Sequence, residues 1–282
     1  MSDTRINKKV NDFLGTHPSP CSFACYTTSN DSHTDSQIPH RALQQEPTGK
    51  HETISQLRSA LIRHHASPEM LTRERRKKES LRKFGYPAPE DMPHRFPRAD
   101  KTRKGNLAEV FLAEYIVATS GASLPVYRLR YNPNVEQSMK GDDVLVFDFE
   151  SDPVRILVGE AKFRGTPSKK AVTDIVDGLI RSHQTGLPIS LQFVADRLFE
   201  SGNNELGSKV EECVNWIAQG RLDLLYVGLL MSNTNAASLV KSHTENNLRN
   251  LVMISLGVEH PNDLISACYD GIEEEYVNGD SF

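Results

Sequence analysis

The stretch from Lys140 to Phe163 constrains this chain more than any other. Two runs rich in Val, Ile, Leu and Phe, Asp143–Phe149 and Arg155–Phe163, flank the turn sequence Glu150-Ser-Asp-Pro. They predict a buried hairpin, and that hairpin carries charge where burial should forbid it. Glu160 and Lys162 stand two apart, so they share a face of the second strand. The acidic pair Asp142-Asp143 opens the first strand. A buried carboxylate or ammonium needs a partner. An exposed Glu–Lys pair on an edge strand would contribute little, but the apolar run Ile156–Gly159 places this pair on a buried strand.

Two carboxylates from neighbouring strands offer hard oxygen donors suited to Mg2+, and Mn2+ is also accommodated. The Lys can contact a phosphate or help to orient and deprotonate a metal-bound water. Together these groups are the equipment for phosphodiester hydrolysis. Strand parity weighs the two aspartates, because opposed residues of an antiparallel pair point to one face. With Asp143 across from Glu160, Leu145, Phe147 and Phe149 join Ile156 and Val158 in one apolar block. With Asp142 there, its companions are Val144, Val146 and Asp148. Asp143 is therefore the preferred ligand and Asp142 the alternative.

Around the hairpin the pattern alternates. Helices are expected over Gly105–Ser120, Ser168–His183 and Glu205–Ala218, and strands over Val126–Tyr131, Ile189–Ala195 and Leu222–Leu230. Mostly helix is expected from Ala236 on. The order α-β-β-β-α-β, followed by further C-terminal α/β elements, predicts an α/β fold with a mixed sheet flanked by helices. A division at residue 104 separates a polar, then basic, N-terminal region (1–104) from this body (105–282).

The first 50 residues are polar and weakly periodic, as in a flexible arm or loop-rich cap. His17, Cys21, Cys25 and His33 only loosely match zinc-site spacing; scattered polar loop residues are the preferred reading. Residues 57–104 carry 14 Lys+Arg against six Asp+Glu, a net of +8, within a chain whose total is −4. Ile54, Leu57, Leu61 and Ile62 recur there at helical spacing. The dense run holding Arg75, Arg76, Lys77 and Lys78 is a candidate phosphate-facing patch, with a solvated basic helix as the competing reading. Arg164, Lys169 and Lys170 are further DNA-contact candidates near the motif strand. Residues 221–282 carry three Lys+Arg against nine Asp+Glu, a net of −6. That asymmetry predicts a basic side for DNA and an acidic side turned away from it or towards a basic partner.

Gly-Asp-Asp before an apolar strand, then Glu160-Ala161-Lys162, resembles the PD-(D/E)XK nucleases. Gly141 stands where that superfamily usually has proline. The resemblance implies a restriction-endonuclease-like core over about a third of the chain. It also implies a metal-assisting glutamate on the preceding helix: Glu109 in Gly105-Asn-Leu-Ala-Glu109, or Glu114 as the alternative. The wider pattern, with its long polar and basic N-terminal region, is similar to the nuclease subunits of Hachiman anti-phage defence systems. That likeness implies a Mg2+-dependent deoxyribonuclease acting with a superfamily 2 helicase. The residues also allow a catalytically silent nuclease-fold subunit that binds DNA or docks a partner.

Other classes fall away. No apolar run approaches the roughly 20 residues of a membrane-spanning helix, and no signal-peptide segment follows the start. Four scattered cysteines are too few for a disulfide framework. A cytoplasmic protein without a small-molecule cofactor is expected.

Overall fold

The computed structural model describes residues 9–18, 22–86, 94–245 and 248–278. A short helix α1 (Val10–Leu14) leads to strands β1 (Thr27–His33) and β2 (Pro39–Gln45), then helices α2 (Lys50–His65), α3 (Pro68–Lys83) and α4 (Asp100–Ser120). Strands β3 (Val144–Asp148) and β4 (Val154–Phe163) follow, then α5 (Lys169–Gln184), α6 (Leu191–Glu200) and α7 (Asn204–Ala218). The chain continues through β5 (Leu222–Ser232), α8 (Ala236–His243), β6 (Leu251–Gly257), α9 (Pro261–Tyr269) and α10 (Ile272–Asn278).

The six strands make one mixed sheet in the order β1-β2-β6-β5-β4-β3. Antiparallel pairs form its two edges, and β2, β6, β5 and β4 run parallel between them. The inner strands β4, β5 and β6 are buried on both faces, which explains their near-continuous apolar runs. Alternate residues of β4 divide between two cores. Leu157, Ala161 and Phe163 pack towards α2, α4 and α9. Ile156 and Val158 pack towards α5 to α8. An α/β fold with a mixed sheet between helical layers is what the alternating pattern predicts.

Four local expectations are corrected. Residues 189–195 are not a strand. Leu191, Val194, Ala195 and Leu198 are buried at i, i+3, i+4 and i+7, so the apolar run is the inner face of α6. Residues 126–131 are not a strand either: they end in a single turn of 3-10 helix, Arg128–Tyr131, and this connection reaches the sheet only through a bridge between Ser123 and Phe147. The expected helical C-terminus contains the strand β6, whose seven residues are all buried between β2 and β5. Residues 27–45, expected as an arm or cap, supply β1 and β2.

Charge is arranged differently too. Part of the acidic C-terminal segment turns towards the basic region instead of away from it. Glu273 accepts the amides of Arg95 and Phe96 at 3.0 and 3.1 Å, and Glu275 pairs with Arg58 at 2.5 Å. Tyr276 packs edge-on against Phe96, and α10 lies against α3. Part of the opposite charge is thus paired inside the chain.

Candidate active site

β3 is an edge strand, so its start is open to groups from both faces of the sheet. The β3–β4 register pairs Val144 with Gly159; one step further sets Asp143 across from Glu160. Asp143 Oδ2 accepts the amide of Ala161 at 2.9 Å, which holds its carboxylate over the end of the hairpin. Glu160 faces α5, where Gly178 leaves room for it: a Cβ at 178 would lie 2.7 Å from Glu160 Cδ. Lys162, on the same face, pairs with Glu160 Oε1.

From the other face α4 brings Glu109, whose side chain is 11% exposed and whose Oε1 lies 3.3 Å from Arg128 Nε. Burial, opposed by Arg128 and reinforced by the negative charges of Asp143 and Glu160, pushes the Glu109 carboxyl up to about 8. Burial first, then the Asp143 charge, raises Glu160 to about 7, against the pull of Lys162. Asp143, Glu160, Lys162 and Glu109 thus feel one another's charge. Perturbation of this kind in a pocket marks functional-site candidates.

The alternatives are tied to other partners. Asp142 is tied to the start of α6: its Oδ2 accepts the amide of Ser190 at 2.8 Å, and its own amide donates to Ser190 Oγ at 2.9 Å. Glu114 is drawn towards α2, where it meets His64 and Arg63, each at 2.7 Å. Of the cationic candidates, Arg164 and Lys169 are exposed just beyond β4, and Lys170 is held by Asp174 at 2.7 Å. Arg76 and Lys77 are exposed on α3, with Arg75 and Lys78 half-buried. Contacts of α3 run to α10 and, through Glu74, to Arg95 at 2.6 Å.

No three Asp, Glu, His or Cys side chains among the described residues are grouped tightly enough to hold a metal ion as they stand. The donor set nevertheless fits one. Glu109 and Asp143 line one cavity, Glu160 stands across the hairpin from Asp143, and hard carboxylate oxygens are what Mg2+ and Mn2+ take. Lys162 and Arg128 supply the positive charge meanwhile. Of the loose zinc pattern, His17 has both ring nitrogens engaged, with Tyr115 at 3.0 Å and the Thr27 carbonyl at 2.8 Å, and Cys21 lies outside the described residues.

The sequence matches the HamA family over residues 21–272. It is 36% identical over 268 residues to the Hachiman protein HamA of Bacillus cereus, an alignment that covers 95% of this chain and 97% of that protein. The chain belongs to the HamA family.

In this HamA-family chain, four residues around the acids escape sequence reasoning. Arg128 and Ser190 grip the loop before β3, Gly178 makes space for Glu160, and Arg181 of α5 lies near enough to favour the ionised Glu160. Gly178 carries the one usable signal, a glycine inside a helix. The others lie in segments whose position depends on the fold. No helix among the described residues is long and apolar enough to cross a membrane.

Proposed function

We propose that this chain is a Mg2+-dependent deoxyribonuclease, with Mn2+ as a substitute ion, and the effector of a bacterial Hachiman anti-phage defence system. It works in the cytoplasm with a superfamily 2 helicase partner. Membership of the HamA family supports the defence role. One observation carries the chemistry: Asp143, the residue before β3, stands across from Glu160 of β4, Glu160 pairs with Lys162, and Glu109 of α4 lies near enough to feel the charge of all three. The succession α4, β3, β4, α5 keeps the helix, hairpin and helix of the α-β-β-β-α-β order, with a 3-10 turn in place of its first strand.

Asp143, Glu160 and Glu109 would hold the ion. When bound, it would polarise the phosphate and lower the pKa of a water. Lys162 places an ammonium beside Glu160, where it can grip a non-bridging phosphate oxygen and orient the attacking water. Exposed Arg164 and Lys169 can hold the flanking phosphates, and Arg75, Arg76, Lys77 and Lys78 extend a basic face along α3.

The test is degradation of linear and circular DNA with Mg2+, with and without the helicase encoded beside the gene. A Glu160→Ala/Lys162→Ala double variant is run alongside. Degradation by the wild-type chain and its loss in the double variant are expected. Equal degradation by both would overturn the assignment.

A further inference from the structure

The residue that organises this pocket is one with no part in the motif. Arg128 opens the 3-10 turn Arg128–Tyr131, and its side chain is 12% exposed. Its guanidinium serves three groups at once. Nη1 donates to the Asp142 carbonyl and Nη2 to the Met139 carbonyl at 2.9 Å, so two charge-assisted bonds grip the loop that delivers Asp143. Nε faces Glu109 Oε1 at 3.3 Å. Glu109, Arg128, Asp142, Asp143 and Ser190 also line a common cavity of about 20 Å³, room for one water.

Both ends of this linkage are fixed. Two residues on, Arg130 donates twice to the Arg63 carbonyl at the end of α2, at 3.0 and 2.7 Å, and lies over the Tyr127 ring at 4.3 Å. The turn carrying Arg128 is therefore braced against α2. On the loop side, Gly141 has φ +118°, and a Cβ there would lie 2.6 Å from Ser190 Oγ. This loop passes close to α6 in a conformation that other residues rarely adopt, and no regular ladder holds it. Only a planar, always-charged fork reaches two carbonyls and a carboxylate together; an ammonium on the same stem is a point charge.

We propose that Arg128 is a positioning residue of the metal site, setting the Met139–Asp143 loop and the Glu109 carboxylate in register so that Asp143 and Glu109 serve one ion. This rests on the nuclease reading above. Outer partners that orient metal ligands are typically worth about 10- to 100-fold in affinity or activity.

The experiment compares wild type, Arg128→Gln, Arg128→Lys and Arg128→Ala. Mn2+ binding is measured by calorimetry, and DNA cleavage is measured across Mg2+ concentrations in the presence of the helicase. Circular dichroism checks that each variant is folded. R128Q is expected to bind Mn2+ about 10- to 100-fold more weakly and to need correspondingly more Mg2+ for half-maximal cleavage. R128K should recover little, and free guanidinium should restore part of the cleavage by R128A. Folded R128Q and R128A with wild-type Mn2+ affinity and Mg2+ requirement would overturn the proposal alone. A folded wild type that neither binds Mn2+ nor cleaves DNA would overturn the nuclease reading and this proposal with it.

Discussion

Two clusters of buried charge stand at opposite edges of the same sheet, and they are built on opposite terms. At the β1–β2 edge, Arg41 is 1% exposed and fully answered. It meets both Asp31 oxygens at 2.7 and 2.8 Å, Asn11 Oδ1 at 2.7 Å, the Gly15 carbonyl at 3.1 Å and the Tyr115 hydroxyl at 3.4 Å. At the β3–β4 edge, Glu109, Asp143 and Glu160 feel one another's charge, and even with Lys162, Arg128 and Arg181 nearby two of the three carboxyls are pushed to about 7 and 8. A saturated cluster holds structure together. An under-compensated cluster stores unfavourable charge that a ligand can relieve. The difference separates a structural arginine from a site.

The largest effect expected from breaking this contrast is on activity. Glu160→Gln should lower DNA degradation about a thousandfold, on the order of 4 kcal/mol in the barrier. Its unfolding midpoint should stay level or rise, because a buried like-charge contact is removed. A steady-state assay beside a thermal melt checks both; a variant that loses stability and activity together would erase the distinction. Arg41→Met should do the reverse. It takes the shared donor from Asn11 Oδ1, the Gly15 carbonyl and Asp31 and costs about 1–3 kcal/mol by chemical denaturation, with cleavage per folded molecule near wild type. A loss below about 1 kcal/mol would mean that half-exposed Asp31 is rescued by water.

Acid should test the β1–β2 edge next. His40, bonded to Ser255 at 2.9 Å, is lowered to about 4 by burial. It is neutral in the folded chain and binds a proton in the unfolded chain near its ordinary 6.5. Its contribution is therefore complete above about pH 6.5 and is lost as pH falls from there towards 4, about 3 kcal/mol at most. Urea unfolding from pH 7 to 4.5 should show that slope, and His40→Gln should reduce it, leaving the share of His65, which burial also lowers to about 4. The smallest effect belongs to Gly178→Ala. The added methyl displaces Glu160 and should cut cleavage about tenfold, while the helix gains up to about 1 kcal/mol from losing glycine. Unchanged activity would show that Glu160 is free to move aside.

The same contrast explains what could be read in advance. The β3–β4 hairpin announced itself, because an apolar strand is recognised by its own composition. Both of its faces turn out to be buried, so the register rather than face polarity sets Asp143 across from Glu160. The strands Thr27–His33 and Pro39–Gln45 are largely polar, and only a partner makes them strands: β2 pairs with β6, which lies more than 200 residues later. Residues 189–195, as a short apolar run, fit either period until Leu198 extends it. Arg128 had no local mark, since an arginine beside Leu and Tyr could face solvent equally well.

By itself, then, the sequence determined the hairpin, its charged end, the buried helix that precedes it and the α/β class. Each follows from local periodicity and from the cost of burying charge. Only the tertiary structure decided that Glu109 rather than Glu114 reaches the acids, that Asp142 caps α6, that acidic α10 docks against its own basic region, and that Arg128 spans the pocket. Those outcomes depend on which helix face meets the sheet and on contacts between residues far apart in the chain, which no local pattern encodes.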